Sequence, residues 1–201
     1  MIAFFTATGR RLDLGNPKPA DISIEDIIVA LANLCRYTGQ IRQFYAVGQH
    51  ACLVGDLVRP TLAFPALNHD NPEAYLGDMS SKLKHAPEMA WFRALEAQWD
   101  EACALALGYH SLTPEEKHEI KVADDLAAVF ERITLRYQRD FKVNYDLDQA
   151  VAEEWITHST VKQMREIAPR LPKYMVYMTP DMVRAQFAVR YARFGVSWRH
   201  A

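Results

Sequence analysis

The stretch NHDNPEAYLGD, residues 68–78, gathers His69, Asp70, Glu73 and Asp78 into a segment otherwise patterned as a buried helix. An ionised carboxylate without a partner is strongly disfavoured away from water, so buried acids are paired, hydrogen-bonded or metal-bound. A metal accounts for this group most simply. Imidazole nitrogen and carboxylate oxygen suit Zn, Mn, Co or Fe, and an adjacent His and Asp can offer one of each to a common cation. Two side chains do not hold a metal, so the motif predicts further ligands elsewhere in the chain.

Periodicity around the motif predicts an anchor helix over 63–76, with Leu67, Asp70 and Ala74 on one face and His69 and Glu73 one turn apart. Pro72 inside it forces a late start or a bend. Upstream, a helix over 46–58 buries Val47, Ala51, Val54 and Val58, and His50 shares that face, three after Val47 and four before Val54. Alone, such a histidine reads as a core residue; beside the anchor stretch it becomes a candidate ligand. Downstream, Thr113-Pro114-Glu115-Glu116 combines an N-cap, a proline at the first helical position and a capping-box glutamate. The helix it opens runs to about residue 137. Asp124 falls within its apolar stripe of Ile120, Ala123, Ala127 and Phe130, with Lys121 one turn earlier turned to the same side and Asp125 solvated.

The remaining chain reads as mostly helical. Residues 3–14 suit a hairpin around Thr8-Gly9. Ser23 caps a helix with Asp26 at its third position and Ile24, Ile27, Ile28, Leu31 and Leu34 on its apolar face, ending near 37–39. A long helix over 87–107 carries a core stripe of Phe92, Leu95, Trp99, Ala102 and Ala106. Helical patterns follow over 147–167, interrupted near His158-Ser159, and over 180–194, where Arg184, Arg190 and Arg193 suggest a solvated face or a subunit contact.

With 201 residues, 50% hydrophobic and 24% charged, the chain can build one complete core and is short for two. A net charge of -2 removes the general electrostatic case for nucleic-acid binding. Cys35, Cys52 and Cys103 lack a CxxC spacing and sit in apolar, helix-patterned contexts, as reduced core residues of a cytoplasmic protein do. No basic region precedes the first apolar residues and no run approaches about 18 apolar residues, so neither export nor membrane insertion is expected.

The order His50, His69-Asp70, Asp124 resembles the H…HD…D signature of HD-domain metal-dependent phosphohydrolases. The likeness extends to CRYTGQIRQFYAVGQH at 35–50, EAYLGD at 73–78, SSKLK at 80–84 and IKVAD at 120–124, over about residues 5–130. It is to the small phage and bacterial members, which include 5'-deoxynucleotidases and phage dATP triphosphohydrolases. The resemblance implies an all-α HD-domain helical bundle behind a small N-terminal β-hairpin, a single domain with its metal core at about 23–137 and a helical C-terminal extension over 144–201. It makes His50, His69, Asp70 and Asp124 ligands of a divalent Zn, Co, Mn or Mg ion. Glu73 matches the catalytic glutamate, and Asp78 an aspartate that reads the sugar 3'-hydroxyl or assists proton transfer. Lys84 and Lys121 match lysines placed for phosphate. Arg36 and Tyr37 resemble an Arg-Trp pair near sugar and base, with tyrosine replacing tryptophan and the spacing to the histidine changed by about one residue.

The implied activity is hydrolysis of deoxynucleotide phosphates at the α-phosphorus, on a small-molecule substrate, with a homo-oligomer expected because relatives assemble. Two other readings use the same ligands. An iron pair, as in HD-fold oxygenases, wants more histidines, whereas His85, His110, His118, His158 and His200 are out of register and read as structural or exposed. A non-catalytic, metal-stabilised binding module is the other.

Overall fold

A computed structural model describes residues 2–109, 112–136, 158–167, 169 and 171–196. The fold is all-α with a two-stranded N-terminal hairpin. Strands β1 (Ala3–Phe5) and β2 (Arg11–Asp13) pair antiparallel, with Phe4 opposite Leu12. The hairpin is fastened to helix α1 (Ile24–Asn33) by Asp26, which is buried and accepts from the Thr8 amide at 2.9 Å and the Thr8 hydroxyl at 3.0 Å. Asp26 therefore does more than the capping-box position suggests: its amide takes the Ser23 cap while its carboxylate holds the hairpin.

Helix α2 (Val47–Leu57) is the centre of the molecule. Every residue from Val47 to Gly55 is buried, the mark of a helix packed on all sides. Two glycines let its neighbours close in. A Cβ at Gly48 would lie 2.7 Å from both Phe187 Cε2 and Val183 Cγ1 and 3.2 Å from the Leu31 carbonyl, and one at Gly55 would lie 3.3 Å from the Ala63 carbonyl. Around α2 lie two apolar clusters. One joins Ile27, Ile28 and Leu31 to Trp99, Tyr75, Val183, Phe187 and Tyr191; the other joins Leu53 and Val54 to Ile120, Ala123, Ala127, Phe130 and Leu171.

The predicted anchor helix is in fact two short ones, α3 (Ala63–Leu67) and α4 (Glu73–Leu76), separated by turns. Pro72 explains the break. It has no N–H to give the Asn68 carbonyl four residues back, and its ring would clash with that carbonyl. The Asn68 oxygen instead accepts from the Asn71 amide at 3.2 Å and the Tyr109 hydroxyl at 3.4 Å. His69 and Asp70 thus sit on a turn, not on a helix.

Beyond α5 (Ser81–Lys84), helix α6 (Ala90–Leu107) buries Phe92, Trp99 and Ala102 as its stripe requires, while Ala106 faces out. Trp99 stacks on Tyr75, with centroids 4.2 Å apart. Helix α7 (Pro114–Glu131) starts at the Thr113 cap, with the Glu116 side chain returning to the Thr113 amide at 3.0 Å. Of the 147–167 pattern, α8 (His158–Ile167) is described, so His158 and Ser159, the place of the expected interruption, are helical and open α8; residues 147–157 lie outside the described residues. The last helix, α9 (Pro180–Arg193), packs Val183, Phe187 and Tyr191 against α1 and α2.

Two expectations need correction near the site. Helix α1 stops at Asn33, because Leu34 is extended at φ -73, ψ 122, and residues Arg36–Gly39 form a separate 3-10 turn. Cys35 is accordingly not helical; it forms an isolated bridge with Ala46. All three cysteines are free thiols. Among the described residues, no helix is long and apolar enough to cross a membrane.

Two stability predictions follow from how α9 meets α2. Alanine at Gly48 gains up to about 1 kcal/mol of helix propensity, but overpacking costs about 1–3 kcal/mol, so Gly48→Ala lowers the denaturation midpoint. Arg190 Nη2 reaches Asp56 Oδ2 at 2.7 Å, and the Tyr174 hydroxyl also donates to that oxygen. Burial would raise the Asp56 carboxyl, but these donors hold it below its ordinary value. A lowered folded-state value adds stability that is full above the unfolded value of about 3.9 and is lost as pH falls through the folded one. Asp56→Asn should therefore flatten the acid limb of the stability curve, measured by urea unfolding between neutral pH and the acid transition.

Candidate metal centre

Three elements converge on one point: α2 brings His50, the turn before α4 brings His69 and Asp70, and α7 brings Asp124. His50 Nε2 lies 3.0 Å from Asp124 Oδ1 and 3.6 Å from Asp70 Oδ2. His69 Nε2 lies 3.3 Å from Asp70 Oδ1 and 3.9 Å from Asp124 Oδ1. The ligand atoms of His50, His69 and Asp124 all fall within 4.8 Å of one another.

The other nitrogen of each ring decides what this closeness means. His69 Nδ1 is 2.8 Å from the Ala66 carbonyl, which can only accept, so Nδ1 carries the hydrogen. His50 Nδ1 is 2.8 Å from Glu131 Oε1 and donates to that carboxylate. Both Nε2 atoms are left buried without a hydrogen-bond partner. In neutral rings these nitrogens present lone pairs to the oxygens of Asp70 and Asp124, an arrangement that repels unless positive charge lies between. Protons or a cation can supply it. Burial and the Arg36 charge both oppose protonation of His50, yet Glu131 and Asp124 outweigh them and raise its pKa to about 10. His69 is raised too, against burial, by Asp70 and Asp124. Asp124 shows the reciprocal effect: burial would raise it, and the two histidines facing it carry it well below the carboxylate range. One divalent cation can take the place of two protons here, and the His50, His69 and Asp124 group could hold a metal ion.

Around this group, Glu73 is 7% exposed, and its Oε2 is buried without a partner. Burial, then the charges of Asp70 and Asp78, raise its pKa well above the ordinary value and favour its neutral form. Asp78 Oδ2 accepts from the Tyr37 amide at 3.1 Å. That contact fastens an unusual turn, since Tyr37 and Thr38 both have positive φ, 58° and 51°, a conformation disfavoured for side-chain-bearing residues. The turn carries Arg36, whose Nη1 lies 3.6 Å from Asp70 Oδ2.

The lysines are less central than the sequence suggests. Lys121 does not turn inward: its side chain is 63% exposed and its Nζ bridges Asp124 at 2.9 Å and Asp125 at 2.7 Å on the outer surface of α7. A long flexible side chain one turn from two carboxylates satisfies both from the solvent side. Lys84 is half-buried and paired with Glu96 at 2.6 Å. Burial would lower its pKa, but Glu96 raises it, so it stays charged. His85 and His118 are exposed, and His110 and His200 lie outside the described residues.

Sequence reading missed Glu131. It is fully buried at 0% exposure, and its Oε2 accepts from Arg36 Nε at 2.9 Å and the Tyr37 hydroxyl at 3.2 Å while Oε1 takes His50. A usable signal existed: Glu131 is seven residues, two helical turns, after Asp124 and directly follows the buried Phe130.

Fold and site together define a small helical protein with a His/Asp centre of metal-ligand character. The uncharacterized protein YfdR of Escherichia coli (strain K12) is 35% identical over 127 residues, 63% of this chain and 68% of that protein. The uncharacterized protein RCAP_rcc00048 of Rhodobacter capsulatus is 38% identical over 134 residues, 62% of this chain and 68% of that protein. The chain belongs to the family of these two proteins. No protein-family model matches it.

Binding of a single equivalent of Co²⁺ or Zn²⁺ is the expected outcome of equilibrium dialysis. At a hundredfold excess over Kd the ion should stabilise the fold by about 2.7 kcal/mol, read as a rise in Tm. Asp124→Asn should abolish the rise while the metal-free protein stays folded.

Proposed function

We propose that the chain is a metal-dependent phosphohydrolase acting on deoxynucleotide phosphates at the 5' α-phosphorus, either as a dNTP triphosphohydrolase such as a dATPase or as a 5'-deoxynucleotidase on dNMPs. The observation that carries the reading is the pair of buried, unpartnered Nε2 atoms facing Asp70 and Asp124, with the buried, unpartnered Glu73 carboxyl beside them. His50 from α2, His69 and Asp70 from the turn before α4, and Asp124 from α7 would hold the cation. Two imidazoles with carboxylates favour Zn, Co or Mn over Mg. Bound there, a divalent ion supplies Lewis-acid charge for a phosphoryl oxygen and makes a nearby water more acidic.

The chain's own groups supply the rest. Glu73 opens α4 four residues after His69, and its raised pKa favours the neutral form, which can give its proton to the leaving oxygen as the phosphorus–oxygen bond breaks and regain it from the attacking water. Arg36, Lys84 and Lys121 place fixed positive charge around the acidic centre. Such preorganised charge is the main protein contribution in phosphoryl transfer. Lys121, at the surface, suits the outer phosphates of a longer chain better than the reacting one. Asp78 sets the turn that carries Arg36 and Tyr37 to the mouth of the site.

Incubation with dNMP and dNTP panels under Mn²⁺, Co²⁺, Zn²⁺ and Mg²⁺, with separation of nucleoside, phosphate and triphosphate, tests the reading. Turnover of at least one nucleotide is expected. Glu73→Ala should lower kcat about 10²- to 10⁴-fold with metal still bound, and Asp70→Ala should lose metal and activity together. Absence of turnover on every nucleotide with every metal overturns the proposal. A Glu73→Ala protein with unchanged activity moves the assignment to a binding module.

A further inference from the structure

Glu131 joins two parts of the site, the His50–Asp124 pair and the Arg36–Gly39 turn, which the longer Arg36–Asp70 ion pair also links. On one side its Oε1 holds the Nδ1 hydrogen of His50, whose opposite nitrogen faces Asp124. On the other, its Oε2 takes Arg36 Nε and the Tyr37 hydroxyl, the first two residues of the left-handed turn. The Tyr37 hydroxyl also donates to the Ala128 carbonyl at 3.2 Å, one turn before Glu131 on α7. Helix α7 therefore contacts both nitrogens of His50, through Asp124 and Glu131, and grips the turn with the same carboxylate.

We propose that Glu131 is a positioning residue that couples cation binding at His50 to the setting of the Arg36–Gly39 turn. The proposal rests on metal binding at this centre, and is independent of which substrate is hydrolysed. A cation on Nε2 draws electron density from the ring, so the Nδ1–H becomes a better donor and the His50–Glu131 bond tightens. A carboxylate fixed more firmly at Oε1 is fixed at Oε2 as well, and the turn it holds there is intrinsically disfavoured: two consecutive side-chain-bearing residues at positive φ cost about 1–3 kcal/mol each. Among the anchors of that turn are Asp78 on the backbone and Glu131 on the side chains. By linkage, the ordered turn must in return favour the cation.

His50, Arg36 and Tyr37 all donate to Glu131, which makes Glu131→Gln informative. An amide has one acceptor oxygen, so its NH₂ must face either His50 or the Arg36–Tyr37 pair and break one half of the link. The probe is Co²⁺ alone, with visible absorption reporting binding and hydrogen–deuterium exchange reporting the segment 36–46. In the wild type, Co²⁺ is expected to slow exchange in this segment. In Glu131→Gln, Co²⁺ affinity should fall about 10- to 100-fold, and at saturating Co²⁺ the slowing in 36–46 should be lost. Persistence of the slowing at saturation overturns the coupling and leaves Glu131 a structural residue. A wild type that binds Co²⁺ without any change in 36–46 overturns it as well, while the metal reading stands; a wild type that binds no metal overturns both. Should Glu131→Gln fail to fold, Tyr37→Phe decides: it removes one donor, keeps the His50 and Arg36 bonds, and should bind Co²⁺ somewhat less tightly than the wild type, with a reduced slowing at saturation. An undiminished slowing there overturns the coupling.

Discussion

The contact on which the site depends is the one between His50 and Glu131, both wholly buried and both on helices packed through the apolar core. A carboxylate in such a place is strongly disfavoured without compensation, and here burial is outweighed by Arg36 and His50, which keep Glu131 ionised. The ion pair fixes the ring rotation of His50 and decides which of its nitrogens looks outward. Because α2 is enclosed on all sides, the histidine has no room to turn away, and the geometry opposite Asp124 is set by packing before any ligand arrives.

Much of this was legible in the sequence, for a definite reason. Helical periodicity reports which side chains share a face, and it placed His50 among Val47, Ala51 and Val54 and Asp124 among Ile120, Ala123 and Ala127, where the structure has them. What periodicity does not report is where the backbone stops being helical. Residues 63–76 keep a helical hydrophobic pattern across a break that Pro72 and the Asn68 carbonyl impose, and the chain at Leu34 leaves its helix although the apolar pattern continues. Lys121 was misread for a related reason: sharing a helix side with Asp124 does not bury a side chain long enough to reach back to solvent. Glu131 was overlooked because a lone acid at the end of an apolar stripe looks like the polar edge of a helix, and only the convergence of Arg36, Tyr37 and His50 from distant stretches reveals its burial.

The turn of Tyr37 and Thr38 shows the same division. Nothing local demands that Tyr37 and Thr38 be left-handed there; Gly39, the next glycine, is also at positive φ, 75°, but at lower cost. The conformation is imposed by Asp78 and Glu131, 41 and 94 residues further along the chain. Strain held by distant groups is a property of tertiary structure, and it collects beside the acidic centre, where Arg36 lies 3.6 Å from Asp70.

The turn carrying His69 and Asp70 is held from behind by the final helix. Asn68 is fully buried; its side-chain oxygen accepts from Asn71 Nδ2 at 2.9 Å and from the Tyr191 hydroxyl, and Tyr191 sits on α9 beside the Phe187 and Val183 that fill the space over Gly48. A nascent chain emerging from the ribosome thus makes His50, His69 and Asp124 long before it makes the tyrosine that braces them. Until residues 180–193 have emerged and docked, the Asn68 oxygen lacks the Tyr191 donor and α2 lacks one of its walls, so the centre matures late in synthesis and an interrupted chain is left with the ligands but not their alignment.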